Sequence, residues 1–97
     1  KGLAPLGYAY ARTGQTKKAK ECIAKIEQRQ IEEPEAVVDA DLAFVWWALG
    51  EADKTFQYLF RALDKRLPVG PYVIYSPLHE GIEKDPRTEE LKKRMNL

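Results

Sequence analysis

Two stretches of the sequence decide the fold, LGYAYARTG at residues 6–14 and LAFVWWALG at residues 42–50. Each begins with Leu and a small residue, carries aromatic residues in its middle and ends in Gly. Gly14 and Gly50 are 36 residues apart, and self-similarity at such a period indicates stacked helical hairpins. The same shift aligns further pairs of similar size and polarity: Leu6 with Leu42, Gly7 with Ala43, Tyr10 with Trp46, Ala19 with Thr55, Ile23 with Leu59 and Ile26 with Ala62.

The spacing of apolar residues predicts an all-α fold. Leu6 and Tyr10 are four residues apart and share one helical face, and Gly14 favours the left-handed conformation that ends a helix. A second apolar stripe follows each Gly: Ala19, Cys22, Ile23 and Ile26 in the first copy, and Phe56, Leu59, Phe60 and Leu63 in the second. We therefore predict four main helices and a short one, near residues 5–13, 16–29, 35–49, 51–66 and 86–95.

The last part of the sequence contains no third copy and is predicted to cap the array. Asp85 followed by Pro86 is a helix-start signal. Residues 68–77 are expected to be irregular, with a short turn or 3₁₀ piece before Gly81. An end repeat leaves an apolar face to cover, and the candidate covering residues are Tyr72, Val73, Ile74, Tyr75, Leu78, Ile82 and Leu91.

Charge is balanced overall but unevenly distributed. The chain has 97 residues and a net charge of +1, so no global field favours nucleic acid or an anionic membrane, and neither is expected as a partner. Residues 1–31 hold seven Lys/Arg against two Glu, whereas residues 32–64 hold eight Asp/Glu against two Lys/Arg. Solvated helix faces explain this more simply than end-to-end contacts between copies.

The cysteine content and the lack of a long apolar run indicate the cellular compartment. Cys22 is the only cysteine, so no intramolecular disulfide can form, and a reducing, cytoplasmic compartment is expected. No apolar run approaches the ~20 residues of a membrane span. Because the pattern starts abruptly near Pro5, we expect the chain to be a piece of a longer protein with further repeats upstream.

The two copies resemble the tetratricopeptide repeat. The matching residues are Leu6-Gly7, Tyr10, Gly14, Ala19 and Ile23, then Leu42-Ala43, Trp46, Gly50, Thr55 and Leu59. The family's usual period is about 34 residues, and the extra residues here are placed around residues 30–34. The Pro that commonly closes a repeat is absent at Ile31 and present as Pro68. The resemblance implies a right-handed stack of antiparallel helix pairs in a single domain over residues 1–97, with repeats at 1–33 and 34–69 and a capping tail at 70–97.

The tail is similar to the ends of bacterial tetratricopeptide arrays. Those arrays lie behind adenylate cyclase, winged-helix regulator or serine/threonine kinase domains, and they close with Asp-Pro-Arg-Phe and a short helix. Asp85-Pro86-Arg87 and Leu91 match that ending, while Thr88 replaces the Phe. The replacement predicts weaker docking of the last helix.

No constellation of catalytic or metal-binding residues is found. His79 is the only histidine and lacks Cys or carboxylates at metal-ligand spacing, and Cys22 lies on an apolar stripe and is interpreted as a buried thiol. Asp39 and Asp41 point in different directions and do not form a catalytic pair. The chain is expected to be non-enzymatic and to need no cofactor or metal.

The resemblance places a binding groove on the first helix of each repeat. Carried over residue by residue, the groove positions are Tyr8, Ala11 and Arg12 in the first copy and Val37, Asp41, Phe44 and Trp47 in the second. Trp46 aligns with Tyr10 and is predicted to be core, so Trp47, ~100° away on the helix, is predicted to point toward the groove. Packing of these aromatics against the tail or a missing repeat is the competing interpretation.

The favoured function is protein interaction or scaffolding within a larger bacterial signalling protein. The partner would be a protein or peptide, another domain of the same protein, or a second copy bound through exposed aromatics. The alternatives are a regulatory segment of an adenylate cyclase whose catalytic domain lies upstream, and a purely structural spacer.

Overall fold

The computed structural model of the chain describes residues 2–33, 38–65 and 81–94, and every regular element in them is helical. The prediction of an all-α fold is therefore confirmed for these residues. The elements are α1 (Leu3–Arg12), α2 (Thr16–Glu32), α3 (Asp39–Ala48), α4 (Ala52–Asp64), a 3₁₀ turn (Ile82–Lys84) and α5 (Pro86–Arg94).

The helix bounds differ from prediction by one to four residues at most ends, and three of the differences are informative. Helix α1 begins at Leu3, which places Pro5 in its first turn, where a missing N–H costs no intrahelical hydrogen bond. Helix α2 continues to Glu32, beyond the predicted end at residue 29. Helix α3 begins at Asp39 after a non-helical Val38, while residues 35–37 of the predicted helix lie outside the described ranges.

The two turns have the same backbone geometry. Gly14 has φ +81° and Gly50 has φ +80°, the left-handed region in which a side chain is strained. In the first turn Gln15 N–H donates to the Tyr10 carbonyl at 2.8 Å, and in the second Glu51 N–H donates to the Trp46 carbonyl at 3.0 Å. This is the Schellman ending of a helix, and it reverses the chain in both places.

The resulting helix pairs lie side by side through α1 and α3. At Gly7, an added Cβ would lie 3.1 Å from Cys22 Cβ and equally close to both methyl groups of Val45. The hydrogen on Gly7 therefore allows α1 to approach α2 and α3 together. Asp41 lies beside Leu3 and Pro5, and Val45 lies beside Gly7 further along, so α1 and α3 run in the same direction.

Two apolar clusters form the core. All four predicted stripe residues of α2 are buried, and in α4 Phe56 and Leu59 are buried while Phe60 and Leu63 are half-buried. The first cluster contains Ala4, Ala19, Ile23, Ile26, Val38, Leu42, Phe44, Val45 and Trp46. The second contains Ala43, Phe56, Leu59, Ile82 and Leu91.

The equivalence of Leu6 and Leu42 does not extend to burial. Leu42 is 1% exposed, whereas Leu6 is 44% exposed. Helix α3 packs against the first helix pair and against α4, while the main contacts of α1 are with α2 and α3. A residue that the sequence pattern predicts to be core is therefore buried only where a neighbouring helix covers it.

The tail segment docks as predicted through Ile82 and Leu91, which are 1% and 0% exposed in the second cluster. The predicted helix start is confirmed, because Asp85 Oδ1 accepts the Arg87 backbone N–H at 2.9 Å and α5 begins at Pro86. Thr88, in place of Phe, is buried and its hydroxyl donates to the Ile82 carbonyl. The predicted irregular stretch, the turn before Gly81 and the other candidate covering residues, Tyr72, Val73, Ile74, Tyr75 and Leu78, lie outside the described ranges.

Candidate protein-interaction surface

The central feature of the candidate surface is an aromatic stack between α1 and α3. The rings of Tyr8 and Phe44 are 4.7 Å apart at their centroids and inclined by 14°. The Arg12 guanidinium lies over the Tyr8 ring, 5.8 Å from its centroid. A cation over an aromatic face is attracted to the negative ring surface, so the three side chains form one unit.

The unit extends from the interior of the protein to the solvent. Phe44 is buried, Tyr8 is half-buried and Arg12 is exposed at the last turn of α1. The close approach at Gly7 fixes the separation of the two helices, and the ring stack spans them. We call Tyr8, Phe44 and Arg12 the aromatic surface.

Asp41, predicted for the same groove, lies in a different place. It lines a cleft of about 230 Å³ at the start of α1, together with Gly2, Leu3, Ala4, Pro5, Ile26 and Arg29. Burial raises the pKa of the Asp41 carboxyl above its ordinary value, and the nearby Arg29 partly opposes this. Asp41 is therefore part of the junction between α1, α2 and α3.

Trp47 has its described ring contact with α4. It is half-buried and packs on the second cluster, with its ring edge-on to Phe56 at 6.5 Å and 90°. Trp46 is core, 8% exposed, as predicted. Of the seven predicted groove residues, Tyr8, Arg12 and Phe44 lie together, and Ala11 packs against the first cluster. Asp41 lies in the cleft and Trp47 lies against Phe56, while Val37 is outside the described ranges.

Sequence reasoning missed two sets of ion and cation–ring contacts. Lys18 lies 5.5 Å from the Tyr10 centroid and Lys54 lies 4.4 Å from a Trp46 ring centroid. These pairs are again 36 residues apart, so the alignment of the two copies contained the signal. The second set comprises Arg87 over Phe56 and Arg94 over Phe60, which fasten α5 to α4.

Sequence reasoning also missed a buried carboxylate. Asp39, at the start of α3, is 0% exposed; Lys65 Nζ lies 2.8 Å from Oδ2 and Arg61 Nε lies 3.7 Å from Oδ1. Neither carboxylate oxygen accepts a well-oriented hydrogen bond, so the contact is an ion pair. A carboxylate paired with two cations stabilises the junction of α3 and α4.

Tyr58 forms a further contact between the two helix pairs. Its hydroxyl donates to Glu27 at 3.2 Å, and burial together with Glu27 raises the pKa of Tyr58.

The described residues show no other arrangement with evident chemistry. Cys22 is buried, and no three His, Cys, Asp or Glu side chains in these ranges converge as metal ligands. None of the helices described is both long enough and apolar enough to cross a membrane. His79 lies outside the described ranges.

Comparison with known proteins adds no assignment. No protein-family model, curated protein or solved structure matches the chain.

Proposed function

We propose that the chain is a non-enzymatic protein-interaction module built from two repeats of the tetratricopeptide kind. The support is the repetition of one local structure at a separation of 36 residues. Both copies have a Gly at positive φ, the same pair of turn hydrogen bonds and a Lys placed over the aromatic residue of the first helix. Two similar helix pairs held side by side suit a rigid surface better than a moving catalytic cleft.

The observation that carries the proposal is the aromatic surface. Aromatic residues and Arg are the commonest energetic anchors of protein interfaces, since they offer large contact area and oriented donors. Arg12 contacts no carboxylate among the described residues, and its guanidinium lies over the Tyr8 ring. The surface therefore suits a peptide or protein segment that sets an apolar side chain on the half-buried Tyr8 ring and a carboxylate beside Arg12.

Selection from a phage-displayed random-peptide library on the immobilised chain tests the proposal. Enriched peptides should bind at least about tenfold more weakly, or ~1.4 kcal/mol, to Tyr8→Ala and to Arg12→Ala. Lys25→Ala is the matched control, since Lys25 is exposed on α2 and contacts none of the three residues. Failure to enrich any peptide, or equal binding to Tyr8→Ala with an unchanged helical circular dichroism spectrum, would overturn the proposal.

A further inference from the structure

The docking of α5 on α4 uses four side chains along one face of α4. Arg87 pairs with Asp53 at 2.7 Å and lies 4.7 Å from the Phe56 centroid. Two turns further on, Arg94 pairs with Asp64 and lies 5.1 Å from the Phe60 centroid. Both sets of contacts advance together along the two helices, so α5 runs parallel to α4.

The equivalent face of α2, 36 residues earlier, has the opposite character. Its residues are Lys17, Lys20, Ala24 and Gln28, in place of Asp53, Phe56, Phe60 and Asp64. All four are exposed. A shallow depression of about 480 Å³ lies on this face, lined by Thr16, Lys17, Lys20, Glu21 and Ala24. We call these five lining residues the α2 face.

The two lysines of the α2 face are not neutralised by the described chain. Arg29 pairs with Glu33, but neither Lys17 nor Lys20 contacts a carboxylate in residues 2–33, 38–65 or 81–94. In the C-terminal half the opposite holds for Arg61, Lys65, Arg87, Lys92 and Arg94, each of which pairs with an acid. Two of the lysines that make the first helix pair basic therefore lie on a surface where no described carboxylate pairs with them.

We propose that the α2 face docks an acidic amphipathic helix of a partner protein, in the manner in which α5 docks on α4. A partner carboxylate takes the place of the Arg87 guanidinium and lies between Lys17 and Lys20. The small Ala24, in place of Phe60, leaves room for a bulky apolar side chain two turns further along the partner helix. This surface is separate from the aromatic surface, so the inference does not depend on which peptide binds there.

The composition of the α2 face favours an acidic helix over nucleic acid or an anionic membrane. Glu21 lies among the lining residues, where it repels phosphates but pairs with a basic residue of a helix. None of the described residues that line the depression is aromatic, so they offer no ring for base stacking. Lys18, the next cation on α2, is directed onto the Tyr10 ring, which leaves two lysines where phosphate backbones engage many.

The probe is a peptide derived from α5 in which one arginine is replaced by an acid and the other by leucine. It is a fluorescent synthetic peptide of residues 81–94 carrying Arg87→Glu and Arg94→Leu, and the unsubstituted peptide is its counterpart. In fluorescence anisotropy with the full chain at low salt, the substituted peptide should bind and the unsubstituted one should not. Lys17→Glu and Lys20→Glu should each weaken binding at least about tenfold, and Lys25→Glu, the same charge change outside the depression, should leave it unchanged.

The reciprocal measurement separates recognition from simple charge attraction. The unsubstituted peptide, which keeps Arg87, should gain binding to the Lys17→Glu chain, because the swap recreates the acid–arginine pairing of α4 and α5. The proposal is overturned if the substituted peptide does not bind, or if Lys25→Glu weakens it as much as Lys17→Glu. It is also overturned if duplex DNA or phosphatidylserine vesicles bind more tightly than the peptide with the same dependence on Lys17 and Lys20.

Discussion

The two helix pairs share their turn geometry but not their surfaces. Their turns have the same φ at Gly14 and Gly50, and each places a Lys over the aromatic residue of its first helix. Outside these positions the copies diverge, since exposed Lys20 in one corresponds to buried Phe56 in the other. A few turn and contact residues therefore maintain the hairpin, while the outer faces are free to acquire different partners.

The divergence follows from what lies next to each pair. The second pair is covered by α5, and its acidic face is neutralised by Arg87 and Arg94. The first pair has no described element in the equivalent place. The same repeated pattern thus produces core in one position and accessible surface in the other.

The largest expected effect contrasts Leu42→Ala with Leu6→Ala, the same substitution at equivalent positions. Leu42 is 1% exposed and Leu6 is 44% exposed. Truncating Leu42 leaves a cavity and should lower the free energy of unfolding by about 2–5 kcal/mol. The cost at Leu6 should be about 1 kcal/mol or less. Urea unfolding followed by tryptophan fluorescence measures both, and equal costs would show that α1 is covered as fully as α3.

The next effect should be the same in both copies. Gly14→Ala and Gly50→Ala each place a Cβ on a left-handed residue, at a cost of about 1–2 kcal/mol. No other atom lies within 4 Å of the added Cβ at either site, so backbone strain is the sole source of the cost. Unequal changes in the urea midpoint would contradict the equivalence of the two turns.

Local patterns predicted the elements, and neighbours decided the burial. The α2 stripe, the two glycine turns and the Asp85 cap follow from interactions within a few residues, and the structure contains all of them. The exposure of Leu6 and the turning of Trp47 onto Phe56 depend on which element lies alongside, and periodicity contains no such information. Asp39 illustrates the same point, because its burial requires Arg61 and Lys65 of a different helix.

A smaller effect is expected from loosening α5. Arg87→Ala removes the pair with Asp53 and the contact over Phe56, while Ile82 and Leu91 stay buried. Because the Arg87 side chain is 38% exposed, solvent screens the ion pair, and the local cost should be about 1 kcal/mol. Hydrogen exchange should accelerate in residues 81–94 and not in α1 or α2.

Lys93→Ala is the control for that experiment, because Lys93 is exposed and pairs with no carboxylate among the described residues. Faster exchange throughout the chain in Arg87→Ala would mean that α5 and the helix pairs unfold as one unit. Unchanged exchange in residues 81–94 would mean that the two apolar side chains alone hold the segment.

The smallest effect is a response to pH that has opposite signs in the two regions. The Arg87 side chain, by its hydrogen bonds to Asp85, lowers the pKa of that carboxyl below its ordinary 3.8. A carboxyl with a lowered folded pKa stabilises the folded state above the unfolded value, and this stabilisation is lost as the pH falls through the folded pKa. Burial raises the pKa of Asp41, so its ionisation opposes folding and its contribution improves on acidification.

Acidification from pH 5 to about pH 3 should therefore loosen α5 before it loosens the junction of α1, α2 and α3. The methyl resonances of Leu91, in α5, and of Ile26, beside Asp41 in the cleft, report the two regions by NMR. In Asp85→Asn the Leu91 resonance should lose most of this pH dependence, because the titrating partner of Arg87 is gone. The prediction is wrong if the Ile26 and Leu91 resonances shift together both in the unsubstituted chain and in Asp85→Asn. In that case acid acts on the whole protein, and α5 and the junction of α1, α2 and α3 do not differ in their response to pH.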